Sequence, residues 1–394
     1  MFHYWVELTS VLIILISLYF HLSNDQSQLL IIPLEISSKD GVVSTYIDIK
    51  TSSNSFVTRK IGLDTGLSYS WFLHPSCTIE TSNINTELRQ KLLVRSIDIG
   101  STNHKVVPQK AAVNTAQSSL NIKYADGGVV KGYFSPNREW RFHKLSSGSQ
   151  QPHEFYQLNW GMATKISEVV RNDQTVSHFE QASIDGWLGL GRSKVGRVNR
   201  TTMIISTALF SSVANIWSMK FQVQKLPYTL IFENLNNLYN SNHVKGMIKV
   251  MEEYHHWSTV VRHLRINGCE SIEKEEYNIL LDIGAGSIFT PNDTISSHCL
   301  EEQIKKKRVD HGEINMEFVL ENGRKIVIPR LLKNASYHNT LRRKRGENVR
   351  QTIVLGLPFF MRNDVTLILA KKRSNKIKVQ SQAEEEEWNY YIDI

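Results

Sequence analysis

One short pattern occurs twice in this chain. Ile61-Gly62-Leu63-Asp64-Thr65-Gly66 and Ile279-Leu280-Leu281-Asp282-Ile283-Gly284 share I-x-L-D-x-G, 218 residues apart. Each is an apolar run that ends in an Asp and then a Gly. Each is followed downstream by an apolar-apolar-Gly segment, Trp187-Leu188-Gly189 and Val354-Leu355-Gly356. One Asp at a strand exit is routine turn chemistry. Two in matched contexts predict two similar halves, each presenting one carboxylate at a strand end. No solenoid or propeller repeat of shorter period is visible.

The rest of the chain agrees with two β-rich halves. At 394 residues it is long enough for two to four domains, or for two large lobes that share a cleft. Short runs rich in Ile, Val, Leu, Thr, Phe and Tyr alternate with Gly, Asn, Asp and Ser clusters, as strands and turns do. The expected strands include Leu29–Ile36, Val42–Ile49, Phe56–Leu63, Ser119–Lys123, Thr229–Phe232, Lys245–Val250, Tyr277–Asp282 and Lys325–Ile328. Helical periodicity is scarce, with Asp293–Lys307 the one candidate. A sandwich pair, a propeller or a two-lobe β enzyme would fit this texture. The duplicated motif selects the last.

Two carboxylates brought together across an interface cannot both ionise easily. They share a proton, and the pair is expected to titrate with one apparent pKa raised and one lowered. The ionised member can take a proton from water while the protonated one polarises a carbonyl. That is amide hydrolysis without a metal, cofactor or covalent intermediate. The Gly after each Asp, Gly66 and Gly284, lets the backbone turn where the two loops approach.

Five segments, in order, resemble the pepsin-like aspartic proteases, the bilobal eukaryotic type with a plant-type texture. Asp64-Thr65-Gly66-Leu67-Ser68-Tyr69-Ser70-Trp71-Phe72 is similar to that family's first active-site loop. Tyr124-Ala125-Asp126-Gly127-Gly128, continuing to Phe134, resembles its flap hairpin, a lid that excludes water and positions substrate. Ile184–Arg192 resembles the segment that threads beside the first Asp loop. Leu281–Pro291 resembles the second active-site loop, led in by Trp257–Gly268. Ile353–Arg362 resembles the segment that cradles the second Asp. The resemblance implies a mostly β, bilobal fold with a cleft between lobes. The N-terminal lobe would cover residues 29–220 and the C-terminal lobe 221–394. It implies catalytic Asp64 and Asp282, with Thr65, Gly66, Ile283 and Gly284 in the active-site loops. Tyr124 and Gly127 would lie in the flap and Trp71 would buttress the flap tyrosine. The implied function is an aspartic-type endopeptidase acting as a monomer on polypeptide, with no cofactor.

The active-site loops depart from the family pattern, mostly at the second. Ile283 stands where a hydroxyl residue would lock the two loops. Leu67 and Ala285 stand where Ser or Thr would donate to each carboxylate. Those losses should raise the pair's apparent pKa values, because hydrogen bonds to a carboxylate favour its ionised form. They leave a second reading open: an impaired scaffold that binds peptide or protein in the same cleft.

Residues 1–28 read as a signal peptide or a membrane anchor. Val11–Phe20 is apolar at nine of ten positions, shorter than a spanning helix needs. Three N-x-[ST] sequons, at Asn199, Asn292 and Asn334, agree with a secreted or membrane-associated glycoprotein of the secretory pathway. Cys77, Cys269 and Cys299 allow one pair and one free thiol, in any combination. The net charge of +8 first suggests nucleic acid. It resolves into three short basic runs, 305–308, 342–345 and 371–373, without the interleaved aromatics of a nucleic-acid surface.

Overall fold

The computed structural model describes residues 29–37, 41–51, 55–80, 119–124, 128–143, 156–167, 184–192, 216–234, 247–250, 256–266, 268–270, 276–286, 288–291, 299, 314–320, 323, 325–331, 338–341, 352–371 and 388–393. The N-terminal apolar run, the sequons, and the 305–308 and 342–345 runs lie outside the described residues. So do residues 372–373 and the expected helix 293–307, Cys299 apart. Among the described residues no helix is long and apolar enough to cross a membrane.

The protein is mostly β. In chain order the strands are β1 (Leu29–Pro33), β2 (Glu35–Ile36), β3 (Val43–Lys50), β4 (Phe56–Asp64), β5 (Trp71–Glu80), β6 (Ser119–Lys123), β7 (Val129–Phe142), β8 (Tyr156–Ser167), β9 (Gly186–Gly189), β10 (Ile216–Gln222) and β11 (Thr229–Asn234). They continue as β12 (Ile248–Lys249), β13 (Ser258–Ile266), β14 (Cys269–Glu270), β15 (Tyr277–Leu281), β16 (Ile288–Pro291), β17 (Ile314–Leu320), β18 (Lys325–Leu331), β19 (His338–Leu341) and β20 (Thr352–Leu355). A single helical turn, α1 (Leu357–Phe360), precedes β21 (Val365–Lys371) and β22 (Trp388–Asp393).

These strands form three sheets. One eight-stranded sheet runs β2-β3-β4-β9-β5-β8-β7-β6 and carries Asp64. A second has the order β18-β17-β13-β15-β20-β16-β19, with β14 against β13, and leads into Asp282. The third, β1-β11-β10-β21-β22-β12, joins chain from both ends of the molecule. The expected strand Leu29–Ile36 is therefore two strands serving two sheets. β1 pairs with β11 and β2 with β3. The boundary expected between residues 220 and 221 falls inside β10.

The internal repeat reaches far beyond the I-x-L-D-x-G motif. The path β3-β4-β9-β5-β8 and the path β13-β15-β20-β16-β19 have the same sequence of strand senses: antiparallel, parallel, antiparallel, parallel. In one, Asp64 sits opposite Gly189. In the other, Leu281 sits opposite Leu355, one residue before Asp282 and Gly356. The downstream apolar-apolar-Gly segments are thus the parallel partners of the Asp strands. A parallel pair needs a long crossover, so these partners are distant in sequence.

Burial explains why these strands end where they do. On β4, Phe56–Lys60 is exposed or half-buried and Ile61–Asp64 is buried. β9 is buried along its whole length, as a central parallel strand should be. Trp71, Trp140, Trp160 and Trp257 are fully buried, each contributing on the order of 3 kcal/mol of apolar burial. α1 buries all four of its residues and starts with Pro in its first turn. One turn is too short for a periodic signal, so the sequence did not show it.

Of the open cysteine pairings, the fold makes Cys269–Cys299. Cys77 is free, and burial pushes its thiol up to about 12, so it is inert as a nucleophile. The bridge closes a segment of 30 residues next to the second Asp strand. Cys269→Ser should lower stability by about 3–4 kcal/mol through lost loop-closure entropy, read by chemical denaturation. A loss under 1 kcal/mol would show that the bridge does not constrain the unfolded chain.

Candidate active site

Asp64 is the last residue of β4, and Asp282 follows β15. Their loops approach so closely that each glycine is indispensable. A methyl group at Gly66 would stand 2.6 Å from Asp282 Oδ2, and one at Gly284 would stand 2.8 Å from Asp64 Cγ. The two carboxyl groups face each other closely enough that each perturbs the other's protonation. Asp64 is buried and Asp282 half-buried.

Backbone amides surround the pair. Asp64 accepts from the N–H groups of Gly66 and Leu67. Asp282 accepts from those of Gly284, Gly66 and Ala285, with Gly284 N at 2.9 Å from Oδ1. Leu67 and Ala285 lack hydroxyls, yet both supply a main-chain donor. A reading of side chains alone misses this, because any residue's backbone can do it.

Both carboxyls are pushed above the ordinary aspartate range. Burial is the largest cause in each case. For Asp64 the charge of Asp282 adds to it, and the raised value stands well above normal. For Asp282 the hydrogen bonds it accepts hold the rise down. The expectation of one raised and one lowered value is corrected: desolvation acts on both members, and no side-chain hydroxyl offsets it. The asymmetry remains. Asp64 is fully desolvated and raised the more strongly, while Asp282 accepts Gly284 N–H at 2.9 Å, so the pair's charge is favoured on Asp282 and its proton on Asp64. Asp64 Oδ1 is buried against the second loop without a hydrogen-bond partner among the described residues.

The loops are locked from one side. Thr65 Oγ1 donates to Leu281 O at 2.9 Å and accepts from Ile283 N at 3.0 Å. Ile283, fully buried, returns no hydroxyl to the first loop. The 184–192 segment does thread beside the first loop. Leu190 N donates to Asp64 O at 2.7 Å and Gly191 N to Leu67 O at 2.8 Å. Ser70 Oγ accepts from Gly189 N, and Ser68 Oγ donates to Arg192 O. The 353–362 segment supports the second loop, with Asp282 N donating to Leu355 O and Leu357 N to Ala285 O.

Trp71 and Tyr124 are brought together. Trp71 Nε1 donates to Tyr124 Oη at 3.0 Å, tying the β6–β7 hairpin to the strand after the first Asp loop. Tyr124 N donates to Gly128 O at 2.8 Å and closes the base of the turn. Gly127 and the rest of the turn lie outside the described residues. Tyr69 packs its ring 5.5 Å from Phe134 of the hairpin strand, and burial raises its phenol's pKa. Tyr69, Ser68, Ser70 and Trp257 were given no role from sequence. Ser and Trp have no periodic signature, and their contacts are all long-range. Among the described residues no cluster of three or more His, Cys, Asp or Glu could hold a metal ion. Compared with known proteins, the chain matches no family model and no curated sequence.

Thr65→Val should cost about 2–4 kcal/mol, because it leaves a buried carbonyl and a buried amide unpaired. Denaturant unfolding measures it, and a cost below 1 kcal/mol would show that the hydroxyl is not the lock. The pair also sets a pH dependence. A carboxyl raised in the folded state keeps its proton where the unfolded chain has lost it. Its stabilisation is complete below the ordinary aspartate pKa, about 4, and is lost as pH rises through the folded value. The stability difference between the native chain and Asp64→Asn/Asp282→Asn should therefore shrink for the native chain's part from pH 4 upward. A difference that is constant from pH 4 to 7 would show that the pair does not titrate abnormally. Asp48, held low by hydrogen bonds from Thr58, Arg141 and His143 that outweigh its burial, acts with opposite sign and below that window.

Proposed function

We propose that the protein is an aspartic endopeptidase of the pepsin-like, bilobal type, hydrolysing peptide bonds with a water activated by Asp64 and Asp282. The observation that carries this reading is the pair itself. Two carboxyls from equivalent strand ends of two sheets with the same strand order face each other, each against the other loop's glycine. Structural aspartates have no reason to be placed so, because burying two like charges together costs more than either alone.

In the reaction, ionised Asp282 accepts a proton from water as the water oxygen attacks the amide carbon. Protonated Asp64 donates to the carbonyl oxygen. The tetrahedral diol then collapses, the carbonyl re-forms, and the departing nitrogen takes a proton from Asp282. Each carboxyl ends in its starting protonation state once Asp64 recovers its proton from the collapsing diol. The hairpin carrying Tyr124 would cover an extended polypeptide and keep bulk water out. The N-terminal lobe is built on the sheet with Asp64 and the C-terminal lobe on the sheet with Asp282. A secretory route and a monomeric state belong to this reading.

A second reading rests on Ile283, Leu67 and Ala285. Without their hydroxyls the same cleft binds peptide without cutting it. The two readings separate on purified full-length chain with denatured protein from pH 2 to 7, with and without a statine-type inhibitor. Under the first, cleavage occurs, the inhibitor stops it, and Asp64→Asn and Asp282→Asn each lower kcat by at least 10³-fold, given typical general acid–base contributions of about 10²–10⁴. Because both carboxyls are raised, cleavage should persist toward the less acidic end and fail once the pair loses its last proton. Peptide binding without cleavage by the native chain establishes the second reading.

A further inference from the structure

We propose that Trp257 is a positioning residue for the Asp64–Asp282 pair, and that its indole supplies the second link between the two loops that Ile283 cannot. The structure contains a closed ring of hydrogen bonds through both Asp loops. Thr65 Oγ1 donates to Leu281 O at 2.9 Å. Leu281 N donates to Trp257 O at 2.9 Å. Trp257 Nε1 donates to Leu190 O at 2.9 Å, in a fully buried position. Leu190 N donates to Asp64 O at 2.7 Å, and Asp64 is bonded to Thr65. The ring therefore enters the second loop beside Asp282 and returns to the first at Asp64 itself.

The hydroxyl of Thr65 crosses from the first loop to the second. The indole N–H of Trp257 crosses back, by way of the segment that props Asp64. A second contact follows the same route: the buried Arg192 side chain donates through Nη1 to His256 O at 3.4 Å, and Arg192 O accepts from Ser68 of the first loop. Both bonds of the Thr65 hydroxyl lie on one side, about which the two loops could still pivot. The route through Trp257 ties them on the other side and restrains the separation of the carboxyls. That separation decides how strongly one charge raises the other's pKa, because the interaction falls with distance.

The inference rests on the pair acting as a unit, and its test does not depend on peptide cleavage. The quantity read is the fall in unfolding midpoint from pH 4 to pH 7 that Asp64→Asn abolishes. Trp257→Phe removes the indole N–H and keeps an aromatic ring. It should cut that pH-dependent fall by at least half. Adding Ile283→Thr to Trp257→Phe should restore it, because the new hydroxyl re-creates a direct crossing. Ile283→Thr alone should change it little. Trp257→Phe that lowers the midpoint equally at both pH values, or a double variant that restores nothing, would overturn the proposal. If Trp257→Phe does not fold, a benzothienyl isostere at position 257, with sulfur in place of N–H, removes only the donor and decides the matter by the same readout. Should the chain cleave peptides, Trp257→Phe should lower kcat about tenfold with KM within twofold. A chain that cleaves nothing but shows the pH pattern would refute the endopeptidase reading and leave this one standing.

Discussion

Two facing carboxyl groups, one buried and one half-buried, govern this structure. Two unit charges about 4 Å apart repel by about 4 kcal/mol at an effective dielectric near 20. A typical net hydrogen bond returns only about 1 kcal/mol. The pair is therefore tolerable only with a shared proton and several backbone donors around it. Four backbone N–H groups face it, those of Gly66, Leu67, Gly284 and Ala285. The glycines at 66 and 284 are the steric half of the same constraint, since any side chain there would collide with the opposite carboxyl.

The larger architecture serves that apposition. Each Asp ends a buried strand that is flanked by a parallel partner, β9 or β20. Each partner continues into a segment that hydrogen-bonds the back of the Asp loop. The six-stranded sheet ties the chain's beginning, middle and end together. Around the first loop a polar layer of Ser68, Ser70 and Arg192 holds the backbone, and the Trp71–Tyr124 bond attaches the hairpin. The locking is asymmetric: Thr65 acts from one side, and on the other side the ring runs through Trp257.

Much of this was legible in the sequence because it is local. Strand runs such as Ser119–Lys123 alternate buried and exposed as their residues do. The two Asp-Gly turns stand out by repetition. The loss of hydroxyls at Leu67, Ile283 and Ala285 could be read directly. Other features were hidden for physical reasons. The run Leu29–Ile36 reads as one apolar strand, and nothing local marks its division between two sheets. The one-turn helix at Leu357–Phe360 is shorter than a helical period can reveal. That both carboxyls are raised, and not one raised and one lowered, was hidden too, because desolvation depends on what is packed around a group and not on its neighbours in the chain.

The sequence by itself determined that there would be two similar β-rich halves, each ending a strand in a carboxylate, with Gly behind each and hydroxyls missing from the second loop. These follow from side-chain chemistry and its period along the chain. Only the tertiary structure decided that the carboxyls face each other, that Cys269 pairs with Cys299, that backbone amides surround the carboxyls, and that Trp257 closes the ring to Leu190. Each of those depends on residues tens to hundreds of positions apart. Their hydrogen bonds exist only after the apolar strands have packed and fixed where the loops meet.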